Sequence, residues 1–284
     1  MNPDIGRFAP SPTGPLHIGS LVAAVGSYLQ VKSKKGQWLV RMEDLDPPRE
    51  EPGATDKILR SLEAHGLHWD GEVIYQSQRH EAYEAVIEQL IESNLAYPCG
   101  CSRKTLQTTA QKGKYGLIYP GTCRKGLTKN SRQLAIRVLT HNQRIGFIDK
   151  RLGEHGQQLE TEIGDFIIKR ADGFYAYQLA VVVDDAWQGI TEVVRGEDLV
   201  DNTPWQIHLQ TLLNYPMPDY LHLAIVKNEQ GQKLSKQTHA PALDNNQVSA
   251  NLETAIKVLG LAFPESLHNA RPTEILDWAL CQYQ

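Results

Sequence analysis

The 284-residue sequence lacks the long apolar runs of a membrane protein, since none approaches the roughly 18–20 residues that a spanning helix needs. Its first residues have neither the basic start nor the apolar centre of a signal peptide. Cysteine is scarce, and three of the four cysteines are clustered, so a disulfide framework is not expected. These absences predict a cytoplasmic protein with no membrane partner, which we expect to be a monomer.

The sequence also lacks a strong excess of either charge, with 29 Lys and Arg against 33 Asp and Glu. This balance excludes a protein that holds nucleic acid through bulk positive charge. The overall charge balance still permits a local basic surface, because residues 103–132 contain no acidic residue. The basic residues of that stretch are Arg103, Lys104, Lys112, Lys114, Arg124, Lys125, Lys129 and Arg132. A solvated loop surface would have the same composition.

The order of elements in the first hundred residues is typical of an α/β protein with a parallel sheet. A short strand at Ile5–Phe8 leads into a turn-rich loop, and a helix begins near Leu16 or His17. A second strand at Trp38–Met42 and further helices follow. The pattern breaks at Tyr97, where a Gly-, Lys- and Cys-rich stretch begins.

These changes predict a catalytic domain in two halves, 1–96 and 161–215, separated by an insertion at 97–160. Residues 216–284 would form a loop region and a helical tail. Beyond the insertion we expect a strand over Phe174–Val183, because Leu179–Val183 is the longest apolar run. We expect a helix over Thr203–Leu213, which a threonine cap and a first-turn proline would open.

Pro10, Pro12 and Gly14 follow the first strand in the segment Arg7-Phe-Ala-Pro-Ser-Pro-Thr-Gly-Pro-Leu-His-Ile-Gly-Ser20. His17 falls in the first helical turn, where backbone N–H groups and the helix dipole favour a phosphate. Gly19 would let a ligand approach the start of the helix. The segment therefore suits a nucleotide site at the carboxyl edge of a parallel sheet.

A second motif, Lys233-Leu-Ser-Lys-Gln237, lies in a Gly-rich loop after the last predicted strand, Leu221–Val226. Lys233 and Lys236 could stabilise the negative charge that develops on departing pyrophosphate. Either motif alone would be weak evidence, but together and in this order they are similar to those of class I aminoacyl-tRNA synthetases. Arg41-Met-Glu-Asp-Leu-Asp46 and Val194-Arg-Gly-Glu-Asp-Leu199 resemble active-site segments of the glutamyl branch.

Length separates the members of that branch. A glutamyl-tRNA synthetase carries a large C-terminal anticodon-binding domain, whereas only residues 237–284 follow Lys236 here. We therefore expect no such domain, and the chain resembles the truncated glutamyl-Q tRNA(Asp) synthetase family. The resemblance implies a Rossmann-type catalytic domain with a zinc-containing, tRNA-facing insertion. It also implies activation of L-glutamate by ATP and Mg²⁺ without tRNA, then transfer of glutamate to queuosine at the wobble position of tRNA(Asp).

The resemblance also implies roles for individual residues. The residues expected to line the glutamate site are Arg7, Phe8, Ala9, Pro10, Ser11, Glu43, Tyr177 and Arg195. Two arginines for the carboxylates and one carboxylate for the ammonium group match the charges of glutamate. His17, Gly19 and Lys236 would contact ATP, and His17, Lys233 and Lys236 would be catalytic.

Three cysteines form a possible metal site. Cys99 and Cys101 are two residues apart, and Cys123 follows 22 residues later. Three thiolates leave one position of a tetrahedral zinc site open, for which His141 and His155 are chemically ordinary ligands. The resembled family instead uses a tyrosine at the position of Tyr119, which implies one structural Zn²⁺ on Cys99, Cys101, Tyr119 and Cys123.

Three other functions remain open from the sequence. One is a truncated glutamyl-tRNA synthetase that charges tRNA(Glu). Another is an adenylate-forming ligase acting on a small molecule. A third is a zinc-ordered RNA-binding module without catalysis.

Overall fold

A computed structural model describes residues 3–127, 133–226 and 241–283. The strands are β1 (Ile5–Phe8), β2 (Gln37–Met42), β3 (Ile74–Tyr75), β4 (Ala96–Cys99), β5 (Gln111–Gly113), β6 (Gly116–Ile118), β7 (Ala135–Val138), β8 (Arg144–Asp149), β9 (Gly153–Gln158), β10 (Ile167–Lys169), β11 (Glu192–Gly196) and β12 (Asp219–Leu223). The helices are α1 (Ile18–Lys32), α2 (Ala54–Ala64), α3 (His80–Glu92), α4 (Arg103–Thr109), α5 (Leu159–Glu162), α6 (Tyr177–Trp187), α7 (Thr203–Leu213), α8 (Val248–Val258) and α9 (Pro272–Gln282). Within these described ranges, no helix combines the length and the apolar composition of a membrane span.

The chain forms two compact units. The first unit comprises the described residues of Met1–Ser77, Ile190–Val200 and Pro218–Gln284. The second comprises those of Gln78–Gly189 and Asp201–Met217. The boundaries expected at residues 97 and 160 stay a prediction.

The first unit contains a parallel sheet in the order β3-β2-β1-β11-β12. Helix α1 covers it with a face of aliphatic side chains, among which Leu21, Val25 and Leu29 are fully buried. Each such side chain contributes roughly 1.5–3 kcal/mol by burial. The α/β fold with a mostly parallel sheet, expected from the sequence, is confirmed.

The second unit contains a three-stranded antiparallel sheet in the order β10-β7-β4, together with the hairpins β5–β6 and β8–β9. Helices α3 and α7 pack against α6. Helix α7 has the expected bounds and a first-turn proline, but its N-cap is Asn202, and Thr203, the expected cap, is its first residue.

The strand expected over Phe174–Val183 is wrong, because residues 177–187 form helix α6. Every residue of Leu179–Val183 is buried, so the run carries no polar face from which a period could be read. A short, uniformly apolar run fits a buried helix as well as a buried strand. The last strand also begins and ends earlier than the expected Leu221–Val226, at Asp219–Leu223.

Candidate active site and cysteine–tyrosine cluster

The turn between β1 and α1 places His17 at the N-cap of the helix. The Nδ1 atom of His17 accepts a hydrogen bond of 3.3 Å from the backbone N–H of Ser20. The first turn of α1 carries no acidic side chain that would compete for its N–H groups. Gly19 lies within that turn, so the start of the helix has the features of an anion site.

The chain returns to this turn after residue 240. Ala242 forms an antiparallel bridge with His17, and the N–H of Leu243 donates to the carbonyl of Leu16. Lys233, Ser235 and Lys236 lie outside the described residues, in the segment that leads directly into Ala242.

Arg7, Arg41 and Arg195 are buried cations on β1, β2 and β11, with 3%, 0% and 5% of their surfaces exposed. The register of β1 with its two neighbours places all three on the same face, because paired residues of parallel strands point to the same side and side chains alternate. A face with three buried guanidinium groups favours a ligand that carries carboxylates.

Glu43 lies directly beyond the end of β2, where its backbone N–H donates to the carbonyl of Pro10 at 3.0 Å. Its Oε1 atom lies 3.5 Å from Nη2 of Arg41, and its side chain is 11% exposed. The loop after β1 and the end of β2 are thereby held together. This pair provides an anion beside the buried arginines.

Arg195 is held from the neighbouring strand β12. Its Nε donates a hydrogen bond of 3.1 Å to Nε2 of His222, which is fully buried. The guanidinium carbon also lies 5.7 Å from the centre of the Tyr220 ring. Since Arg195 and His222 are aligned in the strand register, the sheet itself sets this contact.

The remaining predicted glutamate-site residues are distributed between the units. Phe8 is buried at the end of β1, and Ala9, Pro10 and Ser11 form the loop after it. Tyr177 is the first residue of α6 in the second unit and is half-buried.

In the second unit, the Cys99, Cys101 and Cys123 sulfurs lie within 4.8 Å of one another. The hydroxyl of Tyr119 lies 3.3 Å from the Cys99 sulfur and 3.7 Å from that of Cys101. The sulfurs of Cys101 and Cys123 are 3.6 Å apart. We call these four residues the cysteine–tyrosine cluster.

Two hydrogen bonds with backbone groups and a close backbone approach hold Tyr119 in this cluster. The N–H of Tyr119 donates to the carbonyl of Ile163 at 2.9 Å, and the N–H of Cys123 donates to its hydroxyl at 3.0 Å. Gly164 has a positive φ of 73°, and a Cβ there would lie 2.3 Å from the carbonyl oxygen of Tyr119. Glycine therefore permits the close approach.

Two histidines considered as ligands lie apart from the cluster. Across the described chain, the group of metal-ligating side chains contains neither His141 nor His155. The His141 ring instead meets that of His208, with centroids 6.2 Å apart, and His155 stacks on Phe147 at 5.8 Å. The hydroxyl of Tyr119 is instead the oxygen that lies beside the sulfurs.

Burial, followed by the hydrogen bond with Cys99, raises the pKa of the Tyr119 phenol. Burial likewise raises the pKa of the Cys101 thiol. Both groups therefore retain their protons at neutral pH unless a cation is present. A bound dication is the ordinary means by which such buried ligands lose their protons.

A buried polar network adjoins the cluster through Asp165. Its carboxylate accepts hydrogen bonds of 2.7 Å from both Nε and Nη2 of Arg124, and one from the hydroxyl of Tyr97. Burial alone would raise the pKa of Asp165, but the bonds from Arg124 and Tyr97 outweigh it and lower that pKa. The Arg124 charge is thus engaged inside the unit.

Comparison with known proteins places this geometry in a family. Residues 5–259 match the family described as tRNA synthetases class I (E and Q), catalytic domain. The chain is 54% identical over 281 residues to glutamyl-Q tRNA(Asp) synthetase of Thiobacillus denitrificans, covering 98% of this chain and 93% of that protein. The protein of that name in Neisseria meningitidis serogroup A is 52% identical, with 98% and 95% covered.

The chain belongs to the glutamyl-Q tRNA(Asp) synthetase family. It is accordingly an enzyme of the aminoacyl-tRNA ligase type, and the family resemblance expected from the sequence is confirmed. Class I synthetases use ATP with Mg²⁺.

Solved structures agree with this assignment. A glutamate tRNA ligase from Elizabethkingia meningosepticum superposes with a TM-score of 0.70 at 26% identity. The match covers 84% of this chain but only 52% of that ligase, so the family member spans about half its length. Methionyl-tRNA synthetase of Mycobacterium tuberculosis matches with a TM-score of 0.59 at 10% identity, which shows a common fold alone.

Sequence reasoning missed several residues that the structure adds to these sites. Arg41 and His222 were not assigned to the amino-acid site, although each contacts a residue that was. Arg137 was not assigned to the metal site, although its Nε donates to the Cys99 sulfur. Strand pairing between distant segments joins Arg137 and His222 to their partners, and no local motif carries that signal.

Proposed function

We propose that this enzyme activates L-glutamate with ATP in the absence of tRNA and transfers it to queuosine of tRNA(Asp). The observation that carries the proposal is the face of buried arginines on the parallel sheet. The chain that carries this face is about half identical to proteins named glutamyl-Q tRNA(Asp) synthetase. We also propose that the protein is a cytoplasmic monomer, which rests on sequence reasoning alone.

In the proposed amino-acid site, Arg7 and Arg195 bind the two carboxylates of glutamate and Glu43 binds its ammonium group. Phe8, Ala9, Pro10 and Ser11 line the site, and Tyr177 is assigned to it from the family resemblance alone. Glutamine lacks the second negative charge, so its neutral amide would form a weaker hydrogen bond with an arginine than the charge-assisted bond of a carboxylate. The arrangement therefore favours glutamate.

In the proposed activation step, a carboxylate oxygen of glutamate attacks the α-phosphorus of ATP and pyrophosphate leaves. His17 and Gly19 receive phosphate oxygens at the start of α1. Lys233 and Lys236 stabilise the charge on the departing pyrophosphate. The bridge between His17 and Ala242 supports this assignment, because Ala242 follows Lys236 by only six residues in the sequence.

In the proposed transfer step, a hydroxyl of the queuosine cyclopentenediol attacks the mixed anhydride, and AMP leaves. The anhydride is already activated, so positioning of the two reactants supplies much of the rate. Exposed basic residues of the second unit provide a surface for the tRNA backbone. They are Arg103, Lys104, Lys112, Lys114 and Lys125.

We further propose that the cysteine–tyrosine cluster binds one structural Zn²⁺. Tetrahedral zinc with Zn–S of about 2.3 Å and Zn–O of about 2.0 Å requires S···S separations of about 3.8 Å and S···O separations of about 3.5 Å. The 3.6 Å between the sulfurs of Cys101 and Cys123 fits this requirement, as do the 3.3 and 3.7 Å from the Cys99 and Cys101 sulfurs to the Tyr119 hydroxyl. Four protein ligands would leave no position for a reactive water.

The deciding experiment compares acceptors. Labelled glutamate and ATP are supplied with tRNA(Asp) containing queuosine, tRNA(Asp) lacking it, or tRNA(Glu). We expect transfer to the first alone, and glutamate-dependent ATP–pyrophosphate exchange without any tRNA. Charging of tRNA(Glu) would identify a truncated glutamyl-tRNA synthetase, and the absence of exchange would identify a binding module.

Two variants test the assigned roles. Lys236→Ala should reduce exchange by 10²–10³-fold, because one such donor contributes about 3–4 kcal/mol in the transition state. Arg195→Ala should raise the KM for glutamate far more than that for ATP. Exchange within tenfold of wild type for Lys236→Ala, or equal use of glutamine and glutamate by wild type, would contradict the respective assignment.

A further inference from the structure

Arg137 lies beside the cysteine–tyrosine cluster on the central strand of the three-stranded sheet. Its neighbours in the strand register are Tyr97 on β4 and Ile167 on β10. Only 6% of its surface is exposed. The pairing on both sides fixes the backbone of Arg137, and burial restricts the path of its side chain.

The guanidinium of Arg137 contacts two members of the cluster at once. Its Nε donates to the Cys99 sulfur at 3.3 Å, and its carbon lies 3.8 Å from the centre of the Tyr119 ring. Its Nη1 donates to the backbone carbonyl of Asp165 at 2.5 Å. Arg137 therefore donates to a cluster sulfur through Nε, faces the Tyr119 ring with its planar guanidinium, and is anchored to the backbone through Nη1.

The charge of Arg137 has no carboxylate partner among residues 3–127, 133–226 and 241–283. The nearby carboxylate of Asp165 is instead bound by Arg124, through both Nε and Nη2. A buried cation requires a compensating negative charge, because desolvation is otherwise uncompensated. The groups in contact with this cation are a thiol and a phenol, which become anions when they bind a metal.

We propose that Arg137 is the positioning residue and counter-charge of the metal site, an inference that rests on the proposed zinc binding. Three thiolates and a phenolate around one dication keep a net charge of minus two, which a buried guanidinium reduces to minus one. The same side chain orients the Cys99 sulfur and the Tyr119 ring. Lysine could supply the charge but not the planar face and the Nε donor together.

The test measures the affinity of the full-length apo protein for Zn²⁺ by competition with a chromophoric chelator. The variants are Arg137→Met, Arg137→Lys and the control Arg79→Met. Arg79 belongs to the same unit, and its guanidinium carbon also lies 3.8 Å from an aromatic centroid, that of Trp187. Its charge, however, is paired with buried Asp184 at 2.6 Å, and it touches no member of the cluster.

We expect Arg137→Met to weaken zinc binding by roughly 10–100-fold, as removal of outer-shell partners commonly does. Arg137→Lys should recover part of that loss, and Arg79→Met should stay within about twofold of wild type even if it is less stable. With Co²⁺ as the probe, the sulfur-to-metal charge-transfer band should shift in both Arg137 variants and not in Arg79→Met.

Folded apo Arg137→Met with wild-type zinc affinity and an unchanged Co²⁺ spectrum would overturn the inference. If this variant does not fold, Arg137→Lys decides, because unchanged affinity and spectrum there would have the same meaning. Failure of the wild-type protein to bind zinc would instead overturn the proposed metal site. The two failures are therefore distinguishable.

Discussion

Trp38 in the first unit is fully buried, donates its indole N–H to Ser27, and meets the Tyr28 ring edge-on at 5.3 Å. In the second unit, Cys99, Tyr119 and Cys123 are also buried, yet few aliphatic side chains accompany them. The first region gains stability from removal of apolar surface from water, as its large continuous cluster of buried residues indicates. The region around the cysteine–tyrosine cluster contains ion pairs, sulfurs and a phenol in place of aliphatic side chains. We infer that a bound cation contributes there what apolar burial contributes in the sheet.

Trp38→Ala should produce the largest loss. We expect the free energy of unfolding to fall by about 3–5 kcal/mol, because the substitution leaves a large cavity against Phe8 and Tyr28 and removes the partner of Ser27. Urea unfolding measures this change. Zinc content of the folded fraction should stay at the wild-type value, and a loss below about 1 kcal/mol would show that the sheet does not depend on this core.

Asp165→Asn should destabilise the second unit by about 2–3 kcal/mol at neutral pH, because the charge that compensates Arg124 disappears. Removal of one partner of a buried ion pair commonly costs about 3–5 kcal/mol. We expect a loss at or below the lower end of that range because the Arg124 side chain is 31% exposed. Urea unfolding followed at a probe in this unit measures the effect.

The same pair of proteins gives a pH test. Since the folded-state pKa of Asp165 is lowered, its stabilising effect is complete above the unfolded-state value and is lost as pH falls through the folded-state value. The difference in stability between wild type and Asp165→Asn should therefore narrow below about pH 4. A constant difference into strong acid would contradict the assigned ion pair.

Removal of the metal should affect the two units unequally. After treatment with a chelator, we expect transfer of glutamate to tRNA to fall by about tenfold or more, while pyrophosphate exchange changes less than about threefold. Amide hydrogen exchange should accelerate within residues 97–127 and stay unchanged in β1 and β2. Equal losses of both activities, or protection unchanged in residues 97–127, would contradict a purely structural metal in this segment.

Ile148→Thr should have the smallest effect. The side chain is 79% exposed on β8, so we expect the free energy of unfolding to change by no more than about 0.5 kcal/mol. Ile168 on β10 is fully buried and provides the matched control, for which the same substitution should cost at least about 1.5 kcal/mol. Similar values for both would mean that exposure does not govern stability in this unit.

The sequence was most informative where a residue's role depends on its neighbours along the chain. The position of His17 at the start of α1, the bounds of α7 and the clustering of the three cysteines all follow from local spacing. The position of Tyr119 came from resemblance, since nothing in its neighbourhood distinguishes a ligand from a loop tyrosine. These features required no knowledge of the sheet.

The misses share a physical origin. Helix α6 was expected to be a strand because its buried run shows no period. Arg137 and His222 acquire their partners through strand register, which depends on pairing between distant segments. A sequence pattern records which residues alternate within one strand, but not which residue of the next strand lies beside them.

The strand order of the first unit also bears on how the chain is made. Strand β1 lies between β2 and β11, and the N–H of Ile5 donates to Thr191, 186 residues later. At about 5–20 residues per second, a ribosome needs roughly 10–40 s to synthesise that interval. During this time β1 has a partner on one side only, and its other edge is open to unwanted pairing. The nascent protein should therefore depend on holding chaperones until β11 and β12 have emerged.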